Sequence, residues 1–374
     1  MKKNKGNVLI VIIVIVIILI LSVSGVLVYY VLGNKESTEP ELNQYENYEQ
    51  NNEESNNEEQ NNEIPEIPTI TEIEEPTTNT AINNIASNYY YNQLDTYGKL
   101  IYDKLNQNIS ELKTGKYSID FGTSFNTLLQ LEEGEESLNT AFQSAWDAFS
   151  YDKNDLFYID ESKIKLIKES RNLSGLITYY VSIGADEDSN YLQQNFQSKE
   201  SIEKANEYLK NISDQIKKQV ERDKTEQKIL KVHDWLISRI EYDESNSNLN
   251  KYNAYGAIHD KKAVCEGYAR GFKYIMDELE IPCVLVSGSA RNSEGKIEAH
   301  AWNYVEIDEV WYAIDITWDD PIINGEHTLT DEEKYKYFLK GSDKFFEDHT
   351  EIGNISGNGM KFKFPTLSTN DDKK

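Results

Sequence analysis

Cys265, His300 and Asp315 place a sulfur, an imidazole and a carboxylate on three separate segments, in that order along the chain. These side-chain types can perform acyl transfer together: a thiolate attacks a carbonyl, an imidazole takes and returns the proton, and a carboxylate orients the ring and stabilises its cation. The chemistry requires convergence, so the segments around them must fold towards one another.

The segment AVCEGYARGFKYIMDELEIPCVLVSGSA reads as a helix followed by a strand, with Val264, Tyr268, Phe272, Ile275 and Leu279 on one face and Pro282 as the stop. Cys265 then occupies the first turn, where unpaired backbone N–H groups favour a thiolate. A buried, inert cysteine fits the same position. The segment IEAHAWNYVEIDEVWYAIDITWDDP alternates as two strands around a tight turn at Asp308 and Glu309. If Ile307 faces Val310, Trp302 lies opposite Asp315 and His300 opposite Thr317, all on one face. His300 and Asp315 become diagonal neighbours at ~7–8 Å, within side-chain reach. A slip of one residue would turn Asp315 to the other face.

The words Ala-Val-Cys265-Glu-Gly-Tyr-Ala, His300-Ala-Trp-Asn and Trp311-Tyr-Ala-Ile-Asp315-Ile-Thr-Trp-Asp-Asp-Pro321 together resemble the bacterial transglutaminase-like superfamily. The likeness covers roughly residues 225 to 345. It implies an α+β, papain-like core in which a nucleophile helix packs on an antiparallel sheet. It also implies Cys265 as nucleophile, His300 as general base and acid, and Asp315 as the orienting carboxylate. The superfamily includes cross-linking enzymes, peptidases, amidases and inactive relatives, so the resemblance fixes a site more firmly than a reaction. The Cys265 backbone N–H would supply one oxyanion donor.

Other conspicuous residues receive plainer readings. Cys283 belongs to an apolar strand and reads as core; a bond to Cys265 would abolish the nucleophile. His233 and His259 read as structural, the latter in a loop, and His327 and His349 lack a partner motif. Trp302 and Trp318 suit either the walls of the site or core packing. Asp319 and Asp320 read as turn-forming, hydrated acids, because no loop has ordered calcium-ligand spacing. No metal and no cofactor is expected.

Upstream, Tyr90, Leu94, Tyr97, Ile101 and Leu105 form a helical face, as do Leu138, Phe142, Ala145, Trp146 and Phe149, while Leu176 to Ile183 reads as a strand between Gly175 and Gly184. One or two helices follow from Ser198 to about Glu241. Residues 81–195 thus form a mixed helix and strand region, and 196–374 the catalytic domain.

The N-terminal quarter is built differently. Val8 to Leu32 carries no charge and is almost wholly aliphatic, long enough to cross a bilayer, with Lys2, Lys3 and Lys5 before it and glutamates after it. This predicts a cytoplasmic stub at 1–7, a transmembrane helix at 8–32, and an extracellular remainder. A signal peptide cut after Ser22 to Gly25 is the alternative. Residues 33–80 are rich in Glu, Asn and Gln and read as a disordered acidic linker or stalk. The formal net charge of -27, without a basic patch, argues against nucleic acid as a partner.

The expectation is a single-pass cell-membrane protein whose extracellular thiol enzyme acts on peptide or protein amide bonds through a thioester. Hydrolysis is favoured over cross-linking. The rival expectation is a catalytically inactive surface-binding or wall-associated structural module.

Overall fold

The computed structural model describes residues 88–186, 189–245, 247–320 and 330–372. The expected span at 8–32 and linker at 33–80 lie outside them. Among the described residues, no helix is long and apolar enough to cross a membrane.

Five longer helices carry the helical part: α1 (Thr96–Gln107), α2 (Gly134–Asp152), α3 (Lys199–Val220), α4 (Thr225–Ile237) and α5 (Cys265–Glu278). α1 starts later than the apolar spacing predicts. The Asp95 carboxylate accepts the Gly98 N–H at 2.6 Å and caps the helix there, leaving Tyr90 and Leu94 buried before it. α3 opens on a capping box, with Ser198 Oγ accepting the Ser201 N–H at 3.2 Å. His259 lies not in a loop but in a π-helical turn, Gly256–Asp260, where its ring stacks on Tyr255 at 4.3 Å.

The strands form three groups. β1 (Ile119–Gly122), β2 (Lys165–Leu173) and β3 (Leu176–Gly184) make an antiparallel sheet in the order β1-β3-β2. β4 (Glu241–Tyr242) and β5 (Lys262–Ala263) form a short parallel pair. β6 (Cys283–Arg291), β7 (Ile297–Ile307), β8 (Val310–Ile314) and β9 (His349–Glu351) form an antiparallel sheet in the order β8-β7-β6-β9.

α5 lies against β6 and β7, and Asn303 Nδ2 ties strand to helix by donating to the Ala269 carbonyl at 3.0 Å. The helix stops before Pro282 is reached. Glu280 adopts a left-handed φ of 61°, and the Glu280 and Ile281 N–H groups donate back to Asp277 and Met276 at 3.0 and 2.9 Å. This is a Schellman end with glutamate in the place glycine usually takes. Buried side chains from Tyr90 to Leu367 pack as one core.

Candidate active site

α5 begins at Cys265 itself, with Val264 as the extended N-cap residue. The Val264 N–H donates to the Lys251 carbonyl at 3.0 Å, and that carbonyl presses on the helix one turn later. A Cβ on Gly267 would stand 2.2 Å from the same oxygen, so the glycine two residues after the sulfur is a requirement of the close approach. Cys265 is 8% exposed and, like Cys283, is a free thiol. No disulfide joins them.

The hairpin adopts the register that places the other two groups. Ile307 pairs with Val310, and the ladder runs to Asn303 opposite Ile314, one position short of Asp315. Asp308 and Glu309 both have positive φ, 51° and 64°, as a twist-matched two-residue turn demands. At the end of β8 the chain leaves the sheet, and Asp315 Oδ1 accepts the N–H groups of Thr317 and Trp318 at 3.0 and 3.3 Å. An aspartate at this corner closes its own turn, which accounts for its place in the Asp-Ile-Thr-Trp word.

The second oxygen of Asp315 faces the imidazole: His300 Nε2 lies 2.7 Å from Oδ2. An ionised carboxylate only accepts, so Nε2–H is the donor, and Nδ1 is the nitrogen left for the sulfur. Burial disfavours a charged His300, but the charge and hydrogen bond of Asp315, aided by a hydrogen bond with Cys265, outweigh it and push the pKa up to about 10. Asp315 is wholly buried, and burial works against its charge too. His300, with a further hydrogen bond from His349, holds its pKa well below the ordinary carboxylate value.

Two features were not legible in the local motifs. His349, on β9, also reaches Asp315 Oδ2, with its Nε2 at 3.2 Å. The ligand-capable atoms of His300, Asp315 and His349 lie within 4.8 Å of one another, so the trio has the composition and spacing to hold a metal ion. Such binding would have to replace both hydrogen bonds to that oxygen. Tyr242, on β4, is the second missed residue: burial and the nearby Cys265 raise its phenol pKa, with Glu298 and Glu244 adding to the shift.

Asp319 and Asp320 are not hydrated acids. They are 0% and 4% exposed, and each has an inward partner. Asp319 Oδ2 faces Nε2 of the buried His233 at 3.2 Å while its Oδ1 accepts the Tyr337 N–H at 2.8 Å; Asp320 accepts from the Tyr268 hydroxyl. Buried carboxylates at a corner need such donors, and here they fasten α4 and α5 to the turn after β8. Trp302 is core, 1% exposed, whereas the half-buried Trp318 lies over His300 with ring centres 5.0 Å apart.

Residues 210–316 match the family model described as Transglutaminase-like superfamily. Over 130 residues, 31% of this chain, the sequence is 27% identical to kyphoscoliosis peptidase of Mus musculus and 26% identical to that of Homo sapiens. The chain spans 19% of the length of those relatives. Among solved structures it is similar to a TGase, at 16% identity over 47% of this chain and 50% of that one, with a TM-score of 0.29. It is also similar to the periplasmic domain of TgpA from Pseudomonas aeruginosa, at 13% identity over 44% of this chain and 66% of that one, with a TM-score of 0.24. The stretch 210–316, which holds Cys265, His300 and Asp315, is thus the part of the chain that is similar to the transglutaminase-like superfamily.

Proposed function

We propose that the protein is a thiol enzyme that opens amide bonds of peptides or proteins through a thioester, with Cys265 as nucleophile, His300 as acid and base, and Asp315 as the carboxylate that aims the ring. The observation that carries this reading is a single buried line of groups. His300 stands between a sulfur at a helix start and a carboxylate 2.7 Å away.

Asp315 pushes the His300 pKa up to about 10, which favours a protonated ring beside the sulfur, the state that can hand a proton to the leaving nitrogen. The thiolate adds to the amide carbonyl carbon; the oxyanion is met by the Cys265 N–H, one of the donors a helix start leaves without an internal partner. His300 then gives its proton to the departing nitrogen as the C–N bond breaks, leaving the acyl group on sulfur. Now neutral, the ring takes a proton from the incoming water or amine, which displaces the thiolate and releases an acid or a new amide.

Hydrolysis is the favoured outcome, because water is the nucleophile present at highest concentration. A glutamine-containing peptide offered with a labelled primary amine tests the choice. Acid product is expected; amine incorporation without acid would rule hydrolysis out. Equal turnover by Cys265→Ala would rule out the thiol mechanism altogether.

The placement we propose is a bacterial cell surface, with residues 8–32 as the anchor, 33–80 as the spacer, and 81–195 as a mixed helix and strand region that shares its core with the catalytic part, 196–374. Lys2, Lys3 and Lys5 before the apolar run, and the glutamates after it, support a cytoplasmic N-terminus. Digestion of intact cells by an added protease should remove the catalytic domain; full protection would overturn this orientation.

A further inference from the structure

The buried line of polar groups does not end at Asp315. His349 is 2% exposed and sits on β9, paired with Ala290 of β6. Its Nε2 faces Asp315 Oδ2 at 3.2 Å and its Nδ1 faces Asp348 Oδ1 at 2.6 Å. Asp348 is anchored in turn, its Oδ2 accepting the Tyr337 hydroxyl at 2.7 Å. The His349 ring stacks on Phe345 with centres 4.0 Å apart, and Trp318 and Trp302 close its sides at 4.8 and 5.1 Å. With both nitrogens engaged, one face stacked and further aromatic rings at its sides, the ring is held firmly in place.

Two backbone amides hold Asp315 Oδ1, so the direction of Oδ2 depends on what meets it. His300 is one partner, but it must also serve the sulfur and therefore cannot be the fixed end of the line. We propose that His349 is a positioning residue for acyl transfer: it clamps Asp315 Oδ2 from the side opposite the reaction, so that the carboxylate holds His300 Nε2 in one orientation and Nδ1 stays aimed at Cys265. The reaction assigned to His349 rests on the thioester reading above. Its geometric role concerns the reactivity of the sulfur alone.

The test uses the full-length protein and two readouts. One is the second-order rate of Cys265 alkylation by iodoacetamide at neutral pH, resolved by mass spectrometry, with the buried Cys283 as internal control. The other is kcat and KM on a glutamine-containing peptide. His349→Phe keeps a ring but removes the donor, and should slow alkylation and lower kcat by about tenfold to a hundredfold, the cost of small misplacements in a reacting pair. His349→Gln keeps an N–H and should recover to within about threefold of wild type, with KM changed less than about twofold in both. A folded Phe variant with wild-type rates, or a Gln variant as slow as Phe, would overturn the proposal. Should the Phe variant not melt cooperatively, Asp348→Asn decides, since it leaves the ring and loosens its anchor: slower alkylation supports the clamp and an unchanged rate overturns it. If wild type alkylates fast, His349→Phe alkylates slowly and neither cleaves the peptide, the clamp stands and the amide-bond reading fails.

Discussion

Asp315 gathers two backbone N–H groups on one oxygen and two imidazoles on the other, so its charge is fixed in direction as well as in place. Replacing it with asparagine keeps the shape and removes the charge. Turnover by Asp315→Asn is expected to fall roughly 10²- to 10⁴-fold, as when a triad loses the group that sets the ring's tautomer. The pH dependence of stability follows from the same pair. His300 is raised from 6.5, so its contribution is complete below that value and is lost as pH climbs towards about 10. Asp315 is lowered from 3.8, so its contribution is complete above that value and is lost as the solution becomes more acidic. The melting-temperature gap between wild type and Asp315→Asn should therefore be widest from about pH 4 to 6.5 and narrow on both sides. A gap that stays constant from pH 3 to 10 would contradict the pairing. Residue types and order made Cys265, His300 and Asp315 visible, because each stands in a local element with its own pattern. His349 offered no such signal: its element is three residues long, and Asp315, the partner that draws it to the site, is distant in sequence.

Among the elements, the β7–β8 hairpin carries the geometric burden, since one turn sets which side chains share a face. The turn chemistry is not optimal. Glu309 holds a left-handed φ of 64° without being glycine, which a β-carbon opposes. Glu309→Gly is expected to stabilise the protein by about 0.5–1 kcal/mol in urea unfolding, with the site unchanged. A loss of stability would show that the glutamate side chain contributes something the backbone argument omits. The opposite sign is expected at Gly288, across from His300 on β6, where a Cβ would stand 2.2 Å from the Thr350 carbonyl and 2.3 Å from the Trp302 ring. Gly288→Ala should cost about 1–3 kcal/mol by overpacking, and should slow alkylation of Cys265 through the displaced β9. The hairpin register was readable from alternation and turn position, and the start of α5 from its apolar face. The start of α1 falls later than its apolar period suggests because a local cap at Asp95 sets it, and α5, whose face does end at Leu279, is closed by its own cap at Glu280 before Pro282 is reached.

Across the molecule, residues before and after the middle of the chain share one core, and the polar ties between them are buried. Arg270, one turn along α5 from the sulfur, donates Nε to Glu266 at 2.9 Å and Nη1 to the Ser150 carbonyl of α2 at 2.6 Å. The Asp152 carboxylate accepts the Tyr90 and Tyr91 N–H groups, and the Tyr90 hydroxyl donates to the Leu285 carbonyl of β6. Cutting the chain between α2 and α3 would strand these groups together with a large apolar surface. A piece starting at residue 197 should show no cooperative melting, whereas residues 88–372 should unfold in a single transition; two separable transitions in the longer piece would refute a shared core. Arg270→Met should cost about 3–5 kcal/mol, because it leaves Glu266 buried without its partner.

Because β9 is added to the sheet after α5, β7 and β8 have all been synthesised, a growing polypeptide carries Cys265 well before His349 arrives. If His349 clamps Asp315 as proposed, the sulfur of a nascent chain reaches its full reactivity only once this edge strand has docked.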